Sequence, residues 1–324
     1  MKSPQLLSLT LALALALGGA SSLASAQNPG RVIVGYPPGG ALNTVARILA
    51  DRLSESTGRS FVVENRVGAA GVIGSSVLKG GPTDGSLLLL APDSNISVYP
   101  HVVQKPVYLP LNDFVGIAHA GDYRIALAVN ATLPPNDLKS FVAWTRAQSG
   151  AVGYGTAGAG TNLHFYGVLM AKEIGANMNH VAYRGTAPAI VDLIAGHLPA
   201  TVLPLGSTLS HYKTGKIKFL GQTGDGRSAS LPETPTFKEL GYPSLAVSGW
   251  YGVFAPAGTP ADIISRYHDV IVKSLRIPEI RDRMRSLELE LKDMSAQEFQ
   301  AMVKSDTERW GPIIRNSGFT AGTE

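Results

Sequence analysis

In the stretch Val32-Ile33-Val34-Gly35-Tyr36-Pro37-Pro38-Gly39-Gly40-Ala41-Leu42-Asn43-Thr44-Val45-Ala46-Arg47, a strand, a tight loop and a helix follow one another without a spacer. Three β-branched residues read as a buried strand, and two prolines followed by two glycines break it. From Ala41 the apolar positions Leu42, Val45, Ala46, Leu49 and Leu53 recur at helical spacing, and Gly58 supplies a C-terminal stop. Such a junction leaves the first N–H groups of the helix without partners at the positive end of its dipole, which suits a carboxylate or a phosphate. The other reading is a plain turn between strand and helix.

The pattern returns along the chain. Ser60 to Glu64 reads as a second strand, Ser75 to Lys79 as a helix, and Ser86 to Ala91 as a continuous apolar strand of the kind buried on both faces of a parallel sheet. This β-α-β-α-β series ends in Pro92-Asp93-Ser94-Asn95, a polar loop at a strand's carboxyl end, where ligands of open α/β sheets collect, or else an ordinary Asx turn. Tyr123 to Val129 is strand-like, and the passage to a second lobe is set near Val129.

A second series starts at Val152. The run Gly153-Tyr154-Gly155-Thr156-Ala157-Gly158-Ala159-Gly160-Thr161-Asn162-Leu163-His164 fits G-x-G-x-x-G, but the next strand, Asn179 to Tyr183, ends without the acid that would meet a ribose. The glycines read instead as another backbone cradle for an anion, with the Thr156 and Thr161 hydroxyls as added donors. His164, in the first turn of the helix, is either a contact facing the loop or a packing residue. Thr186 is an N-cap candidate with Pro188 in the first turn, and Arg184 is the cation best placed to meet an acid unless it is solvated surface. Val247 to Ala255 reads as an extended return to the first lobe. Two crossings imply a hinge, and the expected division is 27–128 with 251–324 against 129–250. Thr259 with Pro260, Pro278, and the capping box Ser295-Ala296-Gln297-Glu298 open the closing helices.

Composition narrows the function. Lys2, the apolar run from Leu6 to Leu17, Gly18-Gly19 and Ala24-Ser25-Ala26 before Gln27 read as a secretory signal peptide over 1–26, too short to span a bilayer. Without it the net charge is +3 (28 basic residues less Lys2, against 24 acidic), with the charges scattered. No nucleic-acid surface or polybasic membrane anchor is indicated. The count of zero cysteines excludes disulfides, thiolate metal sites, cysteine nucleophiles and a lipid on an N-terminal cysteine. The histidines are dispersed, with no H-E-x-x-H, G-x-S-x-G or Walker A motif. No metal, cofactor or catalytic set is expected. An exported, two-lobed α/β chain with several glycine-rich anion loops reads as a binding protein.

Gly35-Tyr36-Pro37-Pro38-Gly39-Gly40, Val62-Val63-Glu64-Asn65-Arg66, Pro82-Thr83-Asp84-Gly85, Tyr154-Gly155-Thr156-Ala157-Gly158, Tyr183-Arg184-Gly185-Thr186-Ala187-Pro188-Ala189 and Phe254-Ala255-Pro256-Ala257-Gly258-Thr259-Pro260 together resemble the Bug family. These are periplasmic solute receptors of tripartite tricarboxylate transporters. The resemblance implies a type II periplasmic-binding-protein fold, two α/β lobes joined by two crossing strands. It further implies a free, unlipidated periplasmic monomer that closes on a small organic acid and delivers it to membrane permease subunits. The implied site holds Tyr36, Pro38, Gly39, Gly40, Ala41 and Asn43, faced by Thr156, Ala157, Gly158, Gly160, Thr161 and His164. Asp93, Ser94, Asn95, Tyr183, Arg184, Gly185 and Thr186 lie at its sides.

Two departures bear on the ligand. The family usually has Asp where this chain has Asn43, and an acid in the strand-end loop that reads Val202-Leu203-Pro204-Leu205-Gly206 here. Leu203 and Leu205 can neither pair with an ammonium group nor accept from a hydroxyl, so an apolar or aromatic far end is expected, not an amino acid. A ligand-presenting receptor for a membrane sensor, and a secreted enzyme with His164 as general base, are the alternatives.

Overall fold

The structure, a computed structural model, describes residues 28–319; the leader read over 1–26 lies outside them. The chain runs β1 (Gly30–Val34), α1 (Ala41–Thr57), β2 (Phe61–Asn65), α2 (Val72–Ser76), β3 (Leu87–Pro92), β4 (Phe114–Tyr123) and β5 (Ile125–Asn130). It continues with α3 (Leu138–Arg146), β6 (Val152–Thr156), α4 (Asn162–Ile174), β7 (Met178–Ala182), α5 (Thr186–Ala195), β8 (Ala200–Pro204), α6 (Leu205–Lys213) and β9 (Ile217–Gln222). Then come β10 (Gly249–Pro256), α7 (Ala261–Leu275), α8 (Pro278–Ser286), β11 (Leu289–Glu290) and α9 (Ala296–Asn316). Among the described residues no helix is long and apolar enough to cross a membrane.

Two sheets result, ordered β11-β4-β10-β3-β1-β2 and β7-β6-β8-β5-β9. Each has a parallel three-strand core, β2-β1-β3 and β7-β6-β8. In each, a strand that has crossed between the sheets' sequence blocks pairs antiparallel with the core, β10 beside β3 and β5 beside β8. Burial explains the composition of the cores. Ile33, Val34, Leu88, Leu89 and Leu90 have no exposed surface, because helices cover both faces of the first sheet. Leu127, Val129 and Val202 fill the second sheet in the same way.

The helices stop where the sequence predicts. Gly58 and Gly175 follow α1 and α4 in the left-handed conformation (φ 72° and 65°), which costs a glycine little. Ser295 and Glu298 form the anticipated capping box of α9.

Four local expectations are corrected. The chain changes sheet at Arg124, between Tyr123 and Ile125, and not near Val129, because all of β5 pairs with β8 and β9. The return comes just before Gly249, since β10 pairs along its whole length with β4. The helix expected over Ser75 to Lys79 begins at Val72, preceded by Ala69 and Ala70 with positive φ. Pro92 to Asn95 is no open loop: Asp93 is already helical (φ −50°, ψ −31°) and a wide helical turn spans Ser94–Val98.

Candidate ligand cleft

In both sheets a helix follows each parallel strand, so helix N-termini gather at the strands' carboxyl ends. A cavity of about 570 Å³ opens there, bordered by the first residues of α1, α4, α5 and α6. That volume is within the roughly 300–1,000 Å³ usual for small-molecule sites. A wider groove of about 840 Å³ between α1 and α7 is lined by helix flanks carrying both signs of charge (Arg52, Asp262, Arg266, Asp269, Lys273), with no converging loops.

At the α1 end Gly40 is the N-cap and brings no side chain to the helix. The first intrahelical bond is donated by Thr44 to the Gly40 carbonyl (3.2 Å), and among the described residues the N–H groups of Ala41, Leu42 and Asn43 donate to no acceptor. All three residues line the cavity. The loop is held from behind. Asn43 Nδ2 donates to Asn65 Oδ1 (3.1 Å), Asn65 Nδ2 donates to the Tyr36 carbonyl (2.8 Å), and Arg47 Nε donates to Asn43 Oδ1 (3.1 Å). Tyr36 donates to the Ala70 carbonyl (2.8 Å), and burial pushes its phenol up to about 12. Asn43 is thus a neutral brace that presents its backbone N–H.

The two lobes touch around the cavity. Pro37 lies 3.7 Å from the position a Gly185 side chain would take, and Ala70 lies 3.1 Å from that of Gly158. Between them, Tyr123 donates to Asp93 Oδ1 (2.8 Å), while Asn162 Nδ2 donates to Asp93 Oδ2 (3.0 Å) and to the Tyr123 hydroxyl (2.7 Å). Burial first, and then the nearby Asp306 carboxylate, hold the Asp93 carboxyl well above the usual range.

Of the residues read from the sequence, Tyr36, Pro38, Gly39, Gly40, Ala41, Asn43, Ser94, Ala157, Thr161, Arg184, Gly185 and Thr186 line the cavity. Asp93, Asn95, Thr156, Gly158, Gly160, His164 and Tyr183 do not. Asp93 stands behind Tyr123, and Asn95 Nδ2 donates to the Ala70 carbonyl (2.9 Å). Gly158 faces Ala70, and Gly160 faces Val102 and Phe319. Tyr183 donates to Asp192 Oδ2 (2.7 Å).

The threonine hydroxyls expected as ligand donors are used internally. Thr156, with no exposed surface, bonds the Gly158 carbonyl and His180 Nε2, while Thr161 caps α4 by accepting from the His164 N–H. Thr186 opens α5 and does not cap it, the N-cap being Gly185. His164 turns away from the cavity and stacks on His180 with ring centroids 3.9 Å apart; its Nδ1 accepts from the Gly160 N–H. Among the described residues its ring makes no hydrogen bond to an acid or a nucleophile, and its contacts are those of a packing residue. Leu203 and Leu205 are core residues (1% and 0% exposed), so the reason given for an apolar far end falls.

Sequence reasoning missed Tyr123, Asn162, Tyr251, Leu287 and the α6 residues Ser207, Ser210 and His211, all of which line the cavity. Asn162, directly after the expected donor Thr161, carried the one usable signal. Among the described residues no Asp or Glu lines the cavity, and Arg184 stands exposed at its border and forms no ion pair. An anionic solute would find donors and a cation there, and a ligand ammonium group would find no counterion.

Residues 45–319 match the family model described as the tripartite tricarboxylate transporter family receptor. The protein BugT of Bordetella pertussis is 31% identical over 291 residues, covering 90% of this chain and 89% of that protein. The solved periplasmic binding protein BugD is 28% identical and superposes with a TM-score of 0.84, covering 91% of this chain and 99% of its own. A protein of R. palustris solved with adipate is 27% identical, with a TM-score of 0.85 and coverage of 91% and 98%. The fold is therefore that of the two-lobed periplasmic binding proteins, and the chain belongs to the receptor family of the tripartite tricarboxylate transporters.

Proposed function

We propose that this receptor captures a small organic acid in the periplasm and hands it to the membrane permease of its transporter. The observation that carries this reading is the uncapped start of α1, whose residues with free N–H groups line a cavity bordered by Arg184 and, among the described residues, by no acidic side chain. A carboxylate there accepts from backbone donors that need no reorganisation and lies at the positive end of a helix dipole. A ligand bridging the α1 loop and the α5 start favours the closed form, and closure is the signal a permease can read. The adipate bound by the R. palustris relative is a ligand of this chemistry.

The test is a thermal-shift screen of mono-, di- and tricarboxylates, amino acids and uncharged analogues. A ligand at a hundredfold excess over its Kd stabilises the folded protein by about 2.7 kcal/mol. The expected response is confined to carboxylates. Arg184→Ala is expected to weaken the best of them by ~1 kcal/mol, about fivefold, because the guanidinium is exposed. A response to uncharged analogues, or none to any acid, would overturn the assignment.

A further inference from the structure

We infer that Ser207, Ser210 and His211 on α6 form a distal subsite that recognises a second hydrogen-bond-accepting group of the ligand, a carboxylate at the far end of an extended molecule. The inference rests on the carboxylate-receptor reading above. All three residues line the cavity. Their spacing (i, i+3, i+4) sets them on one face of α6. Among the described residues none of the three side chains makes a hydrogen bond, although Ser207 and His211 are half-buried. The neighbouring polar residue Thr208 is by contrast buried and donates to the Leu205 carbonyl (3.1 Å). The face that looks into the cavity is the one left without partners inside the protein.

The cavity extends along α5 away from the start of α1. Thr186, at the first turn of α5, is beside Gly185 and Pro37 of the α1 loop. Ile190 and Ile194 follow along the cavity-facing side of α5, and at 1.5 Å per residue Ile194 lies roughly 12 Å beyond Thr186. Leu193 and Ile194 in that far half belong to the same hydrophobic cluster as Leu205 and Leu209 of α6. The cavity therefore runs from backbone donors, past an aliphatic wall, to two hydroxyls and an imidazole. An α,ω-dicarboxylate matches each zone in order, whereas a fatty acid leaves the α6 face unpaired and a compact hydroxy acid does not reach it.

The experiment measures Kd by calorimetry for the dicarboxylates from succinate to suberate, each against the monocarboxylate of equal chain length. Wild type and the triple variant Ser207→Ala, Ser210→Ala, His211→Ala are compared. In the wild type one or more dicarboxylates should bind about tenfold or more tighter than the matched monocarboxylate, and the variant should erase that advantage while leaving monocarboxylate affinity within about twofold. Retained monocarboxylate binding also shows that the variant folds. Equal affinity of the matched pairs in the wild type, a dicarboxylate advantage that survives in the variant, or an equal loss for both acids would overturn the subsite and leave the receptor reading standing. No binding of any member would overturn both.

Discussion

Gly206→Ala is expected to weaken ligand binding by about tenfold or more while leaving the unliganded protein as stable as the wild type or slightly more so. The two halves of this result have separate causes. Gly206 lies in α6 without a positive φ, so alanine fits its backbone and favours the helix by up to about 1 kcal/mol. A Cβ there, however, would lie 2.1 Å from the Leu287 carbonyl oxygen and 2.8 Å from its carbon. Both atoms are backbone, and Leu287 belongs to the other lobe, just before β11 pairs with β4. The segment cannot simply retreat. Glu288 is held in the left-handed region (φ 58°) and accepts from the Ser228 hydroxyl of the opposite lobe. The added methyl group therefore acts as a wedge against closure and not as a defect in either lobe. Calorimetry with the best carboxylate, together with a melting curve without ligand, separates the two. Unchanged affinity would mean that the ligand is held without this contact.

The fold was legible where local chemistry and tertiary structure agree. The residues Val32 to Arg47 specify strand, loop and helix through β-branching, Pro-Pro-Gly-Gly and helical apolar spacing, and the structure follows them closely. The lobe crossing was not legible, because Tyr123 to Asn130 is apolar on both sides of Arg124 and only pairing partners show the change of sheet. The site divides in the same way. Backbone donors at a helix start follow from sequence order, so the α1 loop and Gly185-Thr186, which border the cavity, were legible as candidates. Side chains that work across the lobes were legible only in part: Asp93 was singled out as a loop residue, but its network with Tyr123 and Asn162 joins residues far apart in the chain, and only the fold brings them together. Ser207, Ser210 and His211 look like the solvated face of a short helix until the cavity is seen on that side. Leu203 and Leu205 misled for the opposite reason, since the end of β8 and the start of α6 are buried there and both side chains serve the core.

Acidification from pH 6.5 to 4 is expected to remove about 2–4 kcal/mol of stability through the His164–His180 stack. Burial pulls His164 down to about 4, and burial followed by the proximity of His164 pulls His180 down to about 3. An unfolded histidine binds its proton near pH 6.5, whereas the folded pair stays neutral until well below. The unfolded state therefore holds more protons throughout this window, and stability falls as pH falls. The geometry gives the reason: the rings stack at 3.9 Å with 19° between planes, His164 Nδ1 is occupied by the Gly160 N–H, and His180 Nδ1 is buried without a partner. Asp93 works in the opposite direction, because its raised carboxyl regains stability as pH drops, so the wild-type slope is a difference of terms. Urea unfolding of wild type and His180→Gln at pH 6.5, 5 and 4 isolates the histidine part. The variant should lose roughly half as much as the wild type over this range. Equal slopes would show that the stack does not titrate in this way. His164 is in the first turn of α4, whose Asn162 and Leu163 line the cavity, so protonating the stack strains the same turn that closes on the ligand. Ligand affinity should accordingly fall at acid pH before the protein unfolds.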